Sequence, residues 1–306
     1  MELKYAIGID IGGTKTAIGI VDSLGTVCAK TSLPTDLSID PHHMVSRMAD
    51  AAKQMLAEQK LNEAHLAGIG VGAPGPLNTK TGHIVKPPNM TAWHNFPLID
   101  SLKRHFASPI TFENDATAAA LAEKWQGAAQ DTEHFIFITI STGIGAGIFS
   151  HGKLITGSTG NAGDVGHLVI DPSAGDCVCG QQGCWEFIAS GTAIAKRASR
   201  LLGRDVTSKE VFKLAEEGHT DMRKLVDQVY RYIGIGCVTL INTFDPEKLV
   251  IGGGVSQVGE PLFKAVQNYV QNCALNPSGQ STPIVPAALN QDAGLIGAAA
   301  LIHMKY

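Results

Sequence analysis

His167, Cys177, Cys179 and Cys184 place four borderline-to-soft metal ligands inside one short run, GDVGHLVIDPSAGDCVCGQQGCWE, residues 163–186. One imidazole and three thiolates with no fifth candidate nearby describe a closed tetrahedral zinc site of the structural kind. Gly175, Gly180 and Gly183 permit the tight turns such a knot needs. Two plainer readings stand beside zinc: reduced thiols next to an unrelated histidine, and a Cys–Cys disulfide, which is scarce in the cytosol. Asp164 and Glu186 bracket the run, so a metal here would shape a polar ligand site.

Two glycine-rich turns offer a different chemistry, the binding of anions. In DIGGTKT, Gly12 and Gly13 let backbone N–H groups approach a phosphate, Thr14 and Thr16 add hydroxyls, and Lys15 adds charge. In STGIGAG, Ser141, Thr142, Gly143 and Gly145 offer the same without the charge. Asp10, at the end of the preceding β-prone run, is placed to hold Mg²⁺ through water. Neither turn is a Walker A loop. A G-x-G-x-x-G at Gly70, Gly72 and Gly75 is interrupted by Pro74 and lacks the acidic residue that would hold a ribose, which discounts dinucleotide binding.

The run FENDATAAA brings Glu113, Asn114 and Asp115 to the junction of a strand and a helix. Asp115 reads as a natural N-cap. Its competing use is as a general base that takes the proton of a substrate hydroxyl as that oxygen attacks phosphorus, with Asn114 holding a neighbouring hydroxyl.

The elements that must position these groups alternate along the chain. Tyr5–Ile9 and Ala17–Val21 flank the first turn as a hairpin. Asp40-Pro41 opens a helix with Met44, Val45, Met48, Ala52, Met55 and Leu56 on one face. Strands follow at 69–71, 110–112, 135–140 and 249–251, and helices at 98–106, 116–126, 225–243 and 292–303. Thr207 and Glu210 form a capping box at the start of another helix. YAIGIDIGGTKTAIGI and FIFITISTGIGAGIFS share a strand–glycine turn–strand pattern. This suggests two related domains, although glycine-turn hairpins also recur by coincidence.

With 306 residues, 44% hydrophobic and 17% charged, the chain reads as a globular protein of two domains. A net charge of −4 and 6% aromatic content give no footprint for nucleic acid. The brief apolar run before Asp10 is too short for a signal peptide, and no stretch is long enough to span a bilayer, so the protein is expected in the cytoplasm.

DIGGTKT, GAPGP, PNM at 88–90, ENDATAAA, STGIGAG, GDVGH, CVCGQQGCWE, IGGGV and DAGLIGAA together resemble the ROK family, in order and spacing, over essentially the whole chain. Within it the similarity is greatest to bacterial glucokinases. The resemblance implies an α/β, actin-like ATPase (ribonuclease H-like) fold of two α/β domains around a cleft. Residues 1–116 plus 290–306 would form the smaller domain, and 117–289 the larger one with the zinc knot. It further implies ATP-dependent phosphorylation of a hexose 6-hydroxyl, ATP with Mg²⁺, a structural Zn²⁺ and a homodimer.

Residue by residue, the resemblance makes Asp115 the base and gives sugar contacts to Gly75, Asn89, Asn114, Asp115, Asp164, His167 and Glu186. It assigns Asp10, Gly12, Gly13, Thr14, Lys15, Thr142, Gly143, Gly253 and Gly254 to ATP. His167 would serve twice, one ring nitrogen on zinc and the other on a sugar hydroxyl. One position departs from the pattern: the family usually has Glu where this chain has Asp164. That carboxylate sits back by roughly one C–C bond, about 1.5 Å. N-acetylmannosamine kinases, relatives in the family, vary here, so that sugar, N-acetylglucosamine, fructose or mannose stands as the alternative acceptor to glucose. A non-catalytic sugar sensor is disfavoured by the retained Asp115 and phosphate turns. A DNA-binding repressor is disfavoured because Asp10 lies only ten residues in.

Overall fold

The computed structural model describes residues 4–289 and 292–304. The chain divides into two compact units. The first takes the chain as far as Asp131, returns for Gly152–Gly163, and resumes at Leu289; the second takes Thr132–His151 and Asp164–Ala288.

The first unit opens with β1 (Tyr5–Ile11), β2 (Lys15–Asp22), β3 (Val27–Pro34) and α1 (Pro41–Glu58). It continues through β4 (Leu66–Ala73), β5 (Leu77–Asn78), β6 (His83–Ile84), α2 (Leu98–Lys103), β7 (Ile110–Asn114) and α3 (Asp115–Gln126). Its main sheet has the order β3-β2-β1-β4-β7. Strand β1 runs antiparallel to β2 and parallel to β4, which is parallel to β7. Side-chain alternation sorts the two faces: Ile7, Ile9 and Ile11 enter a core with Met44, Val45 and Met48 of α1. Asp40 caps α1 by accepting the His42 N–H at 2.7 Å, and the expected apolar face of that helix is buried.

In the second unit β8 (Phe135–Ile140) and β9 (Ile144–Ser150) form the second hairpin. Past the two-residue β10 (Lys153–Leu154), which falls in the stretch belonging to the first unit, the second unit resumes with α4 (Trp185–Ala189), α5 (Gly191–Leu202), α6 (Ser208–Glu216) and α7 (Thr220–Phe244). Then follow β11 (Lys248–Gly252), α8 (Glu260–Cys273), α9 (Pro277–Gln280) and β12 (Ile284–Pro286). Strand β8 pairs antiparallel with β9 and parallel with β11, which is parallel to β12. The order β9-β8-β11-β12 repeats β2-β1-β4-β7 strand for strand, so the sequence echo is a repeat of topology. Elements β3, α5 and α8 are not among those expected from the sequence.

The last helix, α10 (Ala293–His303), lies on the first sheet. A Cβ at Gly70 would lie 1.7 Å from the Ala298 carbonyl oxygen. Gly70, the first glycine of the apparent G-x-G-x-x-G motif, therefore serves helix packing. Helix α10 also packs against α3, which keeps α3 with the first unit and carries that unit beyond residue 116 to Asp131. The excursion at 152–163 is held there as well. Asn161 Oδ1 accepts the Leu77 N–H at 2.9 Å, and Asn161 Nδ2 donates to the Leu77 carbonyl at 2.7 Å. The expected boundary at residue 290 lies outside the described residues.

One local expectation is corrected. The N-cap of α3 is Asn114, whose Oδ1 accepts the N–H groups of Ala116 and Thr117, and Asp115 is the first helical residue. Among the described residues, no helix is long and apolar enough to cross a membrane.

Candidate active site and metal centre

In the first unit the expected polar residues gather at the carboxyl ends of parallel strands, where open α/β sheets commonly bind ligands. Asp10 of β1, Gly72 of β4 and Glu113 of β7 stand in one register row. A Cβ at Gly294, in the first turn of α10, would lie 2.1 Å from Asp10 Oδ2, so the carboxylate fits only because that side chain is absent. Desolvation, then repulsion from Asp115, push the Asp10 carboxyl up to about 7, against an opposing pull from Lys15. These causes bring Asp10, Lys15 and Asp115 into one electrostatic cluster. Asp115 Oδ1 also accepts the Ala116 N–H at 2.8 Å, which fixes the carboxylate at the start of α3.

The β1–β2 turn is closed by Gly12 N–H donating to the Lys15 carbonyl at 2.9 Å. Gly13 has open space where a side chain would stand, and Thr14 and Lys15 are exposed, so this turn presents itself to a ligand. Gly75 follows β4 in the GAPGP turn. Asn89 lies on an exposed turn in which Met90 N–H donates to the Pro87 carbonyl.

The β8–β9 turn is the counterpart of the β1–β2 turn within the second unit. Ser141 N–H donates to the Gly143 carbonyl at 2.8 Å, and Gly191 N–H donates to the Ser141 carbonyl at 2.7 Å. Glu186, at the start of α4, reaches the turn with Oε2 on the Ile144 N–H at 2.8 Å. Thr142 and Gly254 line an open pocket of about 1330 Å³ formed with α5, α6, α7 and the Gly254–Val258 turn. Gly253 sits beside it with its backbone against Ile140 at the end of β8. Two nearly parallel rings, Phe212 and Tyr230, stand 6.3 Å apart in the pocket lining.

His167, Cys177, Cys179 and Cys184 converge as expected, with one potential ligand atom from each lying within 4.8 Å of the others. Cys177 Sγ is 3.8 Å from His167 Nδ1, and Cys179 Sγ is 3.5 Å from Cys184 Sγ. Tetrahedral zinc with bonds of about 2.3 Å to sulfur separates its ligands by about 3.8 Å, so the four atoms fit that ion. The backbone N–H of Gln181 holds the Cys179 thiol down at about 6, in the range that favours a thiolate, whereas burial pushes Cys184 up to about 12. Gly175, Gly180 and Gly183 all have positive φ, so the knot turns where the glycines stand.

Because Nδ1 faces the knot, His167 keeps Nε2 for another partner. Asp164 is solvent-accessible, yet desolvation raises its carboxyl, His167 lowers it and Glu186 raises it again. The three side chains therefore form one polar group beside the knot.

Several site residues carry no signal in the sequence. Gly191, Thr192, Phe212 and Tyr230 reach the pocket from three helices far apart in the chain. Glu113 is 6% exposed, its Oε2 has no hydrogen-bond partner among the described residues, and burial pushes its carboxyl up to about 7. Only its place in END hints at it.

A family model described as the ROK family matches residues 6–305. The chain is 34% identical to a glucokinase of Halalkalibacterium halodurans, over 100% of this chain and 97% of that one. It is 33% identical to an N-acetylmannosamine kinase of Escherichia fergusonii, over 96% and 97% of the respective chains. Among solved structures, a ROK family glucokinase from Streptomyces griseus in complex with glucose and AMPPNP is 32% identical. That structure superposes with a TM-score of 0.80 over 97% of this chain and 98% of the other.

Proposed function

The chain belongs to the ROK family, whose sugar kinases have the actin-like ATPase fold, and on that footing we propose that it is an ATP-dependent hexose kinase acting on the 6-hydroxyl of glucose. The observation that carries this reading is the pairing of Asp115 with Asp10 at the ends of β7 and β1, beside the exposed β1–β2 turn. Phosphoryl transfer needs little covalent chemistry from a protein. It needs a placed hydroxyl, a base, and donors around the moving charge.

Asp115 takes the proton of the sugar hydroxyl as its oxygen attacks the terminal phosphorus of ATP, whose bond to the bridging oxygen breaks to release ADP. Asn114 uses its Oδ1 to cap α3 and has its Nδ2 for a sugar hydroxyl. Gly75, Asn89, Asp164, His167 and Glu186 supply further hydroxyl contacts. Backbone N–H groups of Gly12, Gly13 and Thr14, with the Lys15 ammonium, hold phosphate oxygens on one unit. Thr142 and Gly143 are the phosphate-binding candidates of the second unit, and Gly253, Gly254 and the pocket beside them its candidates for the nucleoside.

Asp10 fits Mg²⁺ bound through water: it is a desolvated carboxylate next to a second one, an arrangement a divalent cation would relieve. Magnesium would neutralise charge on the phosphates. Zinc would fix the orientation of the 163–186 run and leave His167 Nε2 for a sugar hydroxyl. On the same reading the protein works in the cytoplasm as a homodimer.

Asp164 favours a second reading of the acceptor. A shorter carboxylate leaves room near C1 and C2 of the sugar, and the N-acetylmannosamine kinase relative brings a 2-substituted sugar into consideration. A coupled assay of ADP release against a panel of hexoses and N-acetylhexosamines tests both. Glucose turnover with the highest kcat/KM supports the main reading, N-acetylmannosamine supports the second, and no turnover with any sugar overturns both.

A further inference from the structure

Glu123, near the end of α3, is 0% exposed. Its two carboxylate oxygens accept backbone N–H groups from segments far apart in sequence: Oε2 takes the Ala128 N–H at 2.7 Å, and Oε1 takes the Leu289 N–H at 3.0 Å. Gly127 makes the first bond possible, because a Cβ there would lie 2.1 Å from Oε2. Ala128 lies just past the end of α3, and Leu289 is the residue at which the chain rejoins the first unit on its way to α10. A buried carboxylate that accepts two backbone donors is held in one geometry by charge-assisted bonds.

The two helices joined in this way carry the reacting end of the first unit. Helix α3 presents Asp115 in its first turn, and α10 presents Gly294 against Asp10. Between those ends the helices touch with no clearance, since a Cβ at Gly297 would lie 1.9 Å from the Ala118 carbonyl oxygen. Such a contact passes displacement from one helix to the other instead of absorbing it. A shift of the α10 lead-in therefore changes the spacing of Asp10 and Asp115.

We propose that Glu123 is a positioning residue for phosphoryl transfer, which ties the lead-in of α10 to the end of α3 and so keeps Asp10 and Asp115 in their working relation. This rests on the kinase reading. A carboxylate is needed because both oxygens must accept, whereas a glutamine offers one acceptor and turns a donor on the other N–H.

Glu123→Gln in the full-length protein tests it, with Gly127→Ala as the second variant, which leaves the carboxylate in the chain but drives it off its place. Amide exchange at Ala128 and Leu289, thermal unfolding, and kcat and KM for the best hexose and for ATP are measured on all three proteins. In folded variants, exchange at both amides should quicken at least about tenfold. The kcat should drop at least about tenfold while the hexose KM stays within about twofold, because Glu123 lies away from the sugar contacts. Loosened amides with an unchanged kcat overturn the proposal, as does unchanged exchange. A fall in rate fully matched by a fall in the fraction of active protein also overturns it. Failure of the wild-type protein to phosphorylate any sugar would instead count against the kinase reading, and the exchange rates would still show whether the tie exists.

Discussion

Glu186 accepts the Ile144 N–H at 2.8 Å, and it reaches that group across the space left by the missing side chain of Gly143. A residue assigned to the sugar is thus bonded to the turn assigned to phosphate. A Cβ at Gly143 would lie 2.3 Å from Glu186 Oε2, well inside contact distance, so Gly143→Ala must displace that carboxylate. The expected result is a fall in kcat/KM of about 10- to 100-fold, the scale of a misplacement near 1 Å. Steady-state kinetics should show the sugar and ATP parameters worsening together. An effect confined to ATP would break the link.

Asp115→Asn should lower turnover at least about 10²-fold by removing the base. Folding should survive, because the cap of α3 is the neighbouring Asn114 and the new side-chain oxygen still accepts the Ala116 N–H. Unfolding curves with stopped-time ADP assays check both halves. Turnover near that of the wild type would remove Asp115 from the mechanism.

Purified protein should carry about one zinc per chain if the four-residue knot is filled. Cys179→Ser, or prolonged chelation, should strip that zinc and weaken hexose binding, since on the proposed reading a filled knot would orient His167 and, through Cys184 at the cap of α4, Glu186. Metal analysis paired with sugar titration reads the outcome. Fully active protein without zinc would contradict it.

Asp164→Glu extends the carboxylate by one methylene beside His167 and Glu186. Gaining or losing one direct hydrogen bond to a hydroxyl is worth roughly 1.5–3 kcal/mol, or about ten- to a hundredfold in kcat/KM. The ratio between glucose and N-acetylmannosamine should move by that much, with phosphoryl transfer preserved. Equal changes for every sugar would mean that Asp164 shapes the zinc loop instead.

Asp10 has its carboxyl raised from 3.8 to about 7, so the folded chain retains a proton that the unfolded chain has released. Stability therefore falls as pH rises from about 4 to about 7, and above 7 the whole cost of burying the charge is present. Asp10→Asn removes that cost. In the absence of metal and nucleotide it should be more stable than wild type at pH 8, by an amount of the order of 2–4 kcal/mol, with little difference at pH 4. Denaturant titrations at the two pH values give the comparison, and equal differences at both would refute the assignment. Magnesium-dependent turnover should be lost in the same variant.

The features legible in the sequence are those carried by neighbours in the chain. The His–Cys cluster can be read because its four residues lie within one run, and the hairpins because glycine turns separate β-prone segments. The α3 cap was displaced by one residue, since Asn and Asp cap about equally well and nothing local says which side chain turns back. The wall of the pocket beside Gly254 is not legible there, because Gly191, Phe212 and Tyr230 meet only when α5, α6 and α7 pack. Glu123 looked like any polar residue on an Ala-rich helix. Two of its partners are backbone groups, one of them 166 positions away, and Gly127 marks only a helix stop.

Helix α10 covers the sheet face to which Gly8 and Gly70 have yielded their side chains, yet it is made after all of Asp164–Ala288. On the ribosome the first unit therefore waits, its sheet uncovered on one side, while the later-synthesised unit has every one of its strands available. The half of the molecule that starts first finishes last. A nascent chain arrested before Ala293 would leave that apolar face open to chaperones, and release of the final helix would be the step that closes it.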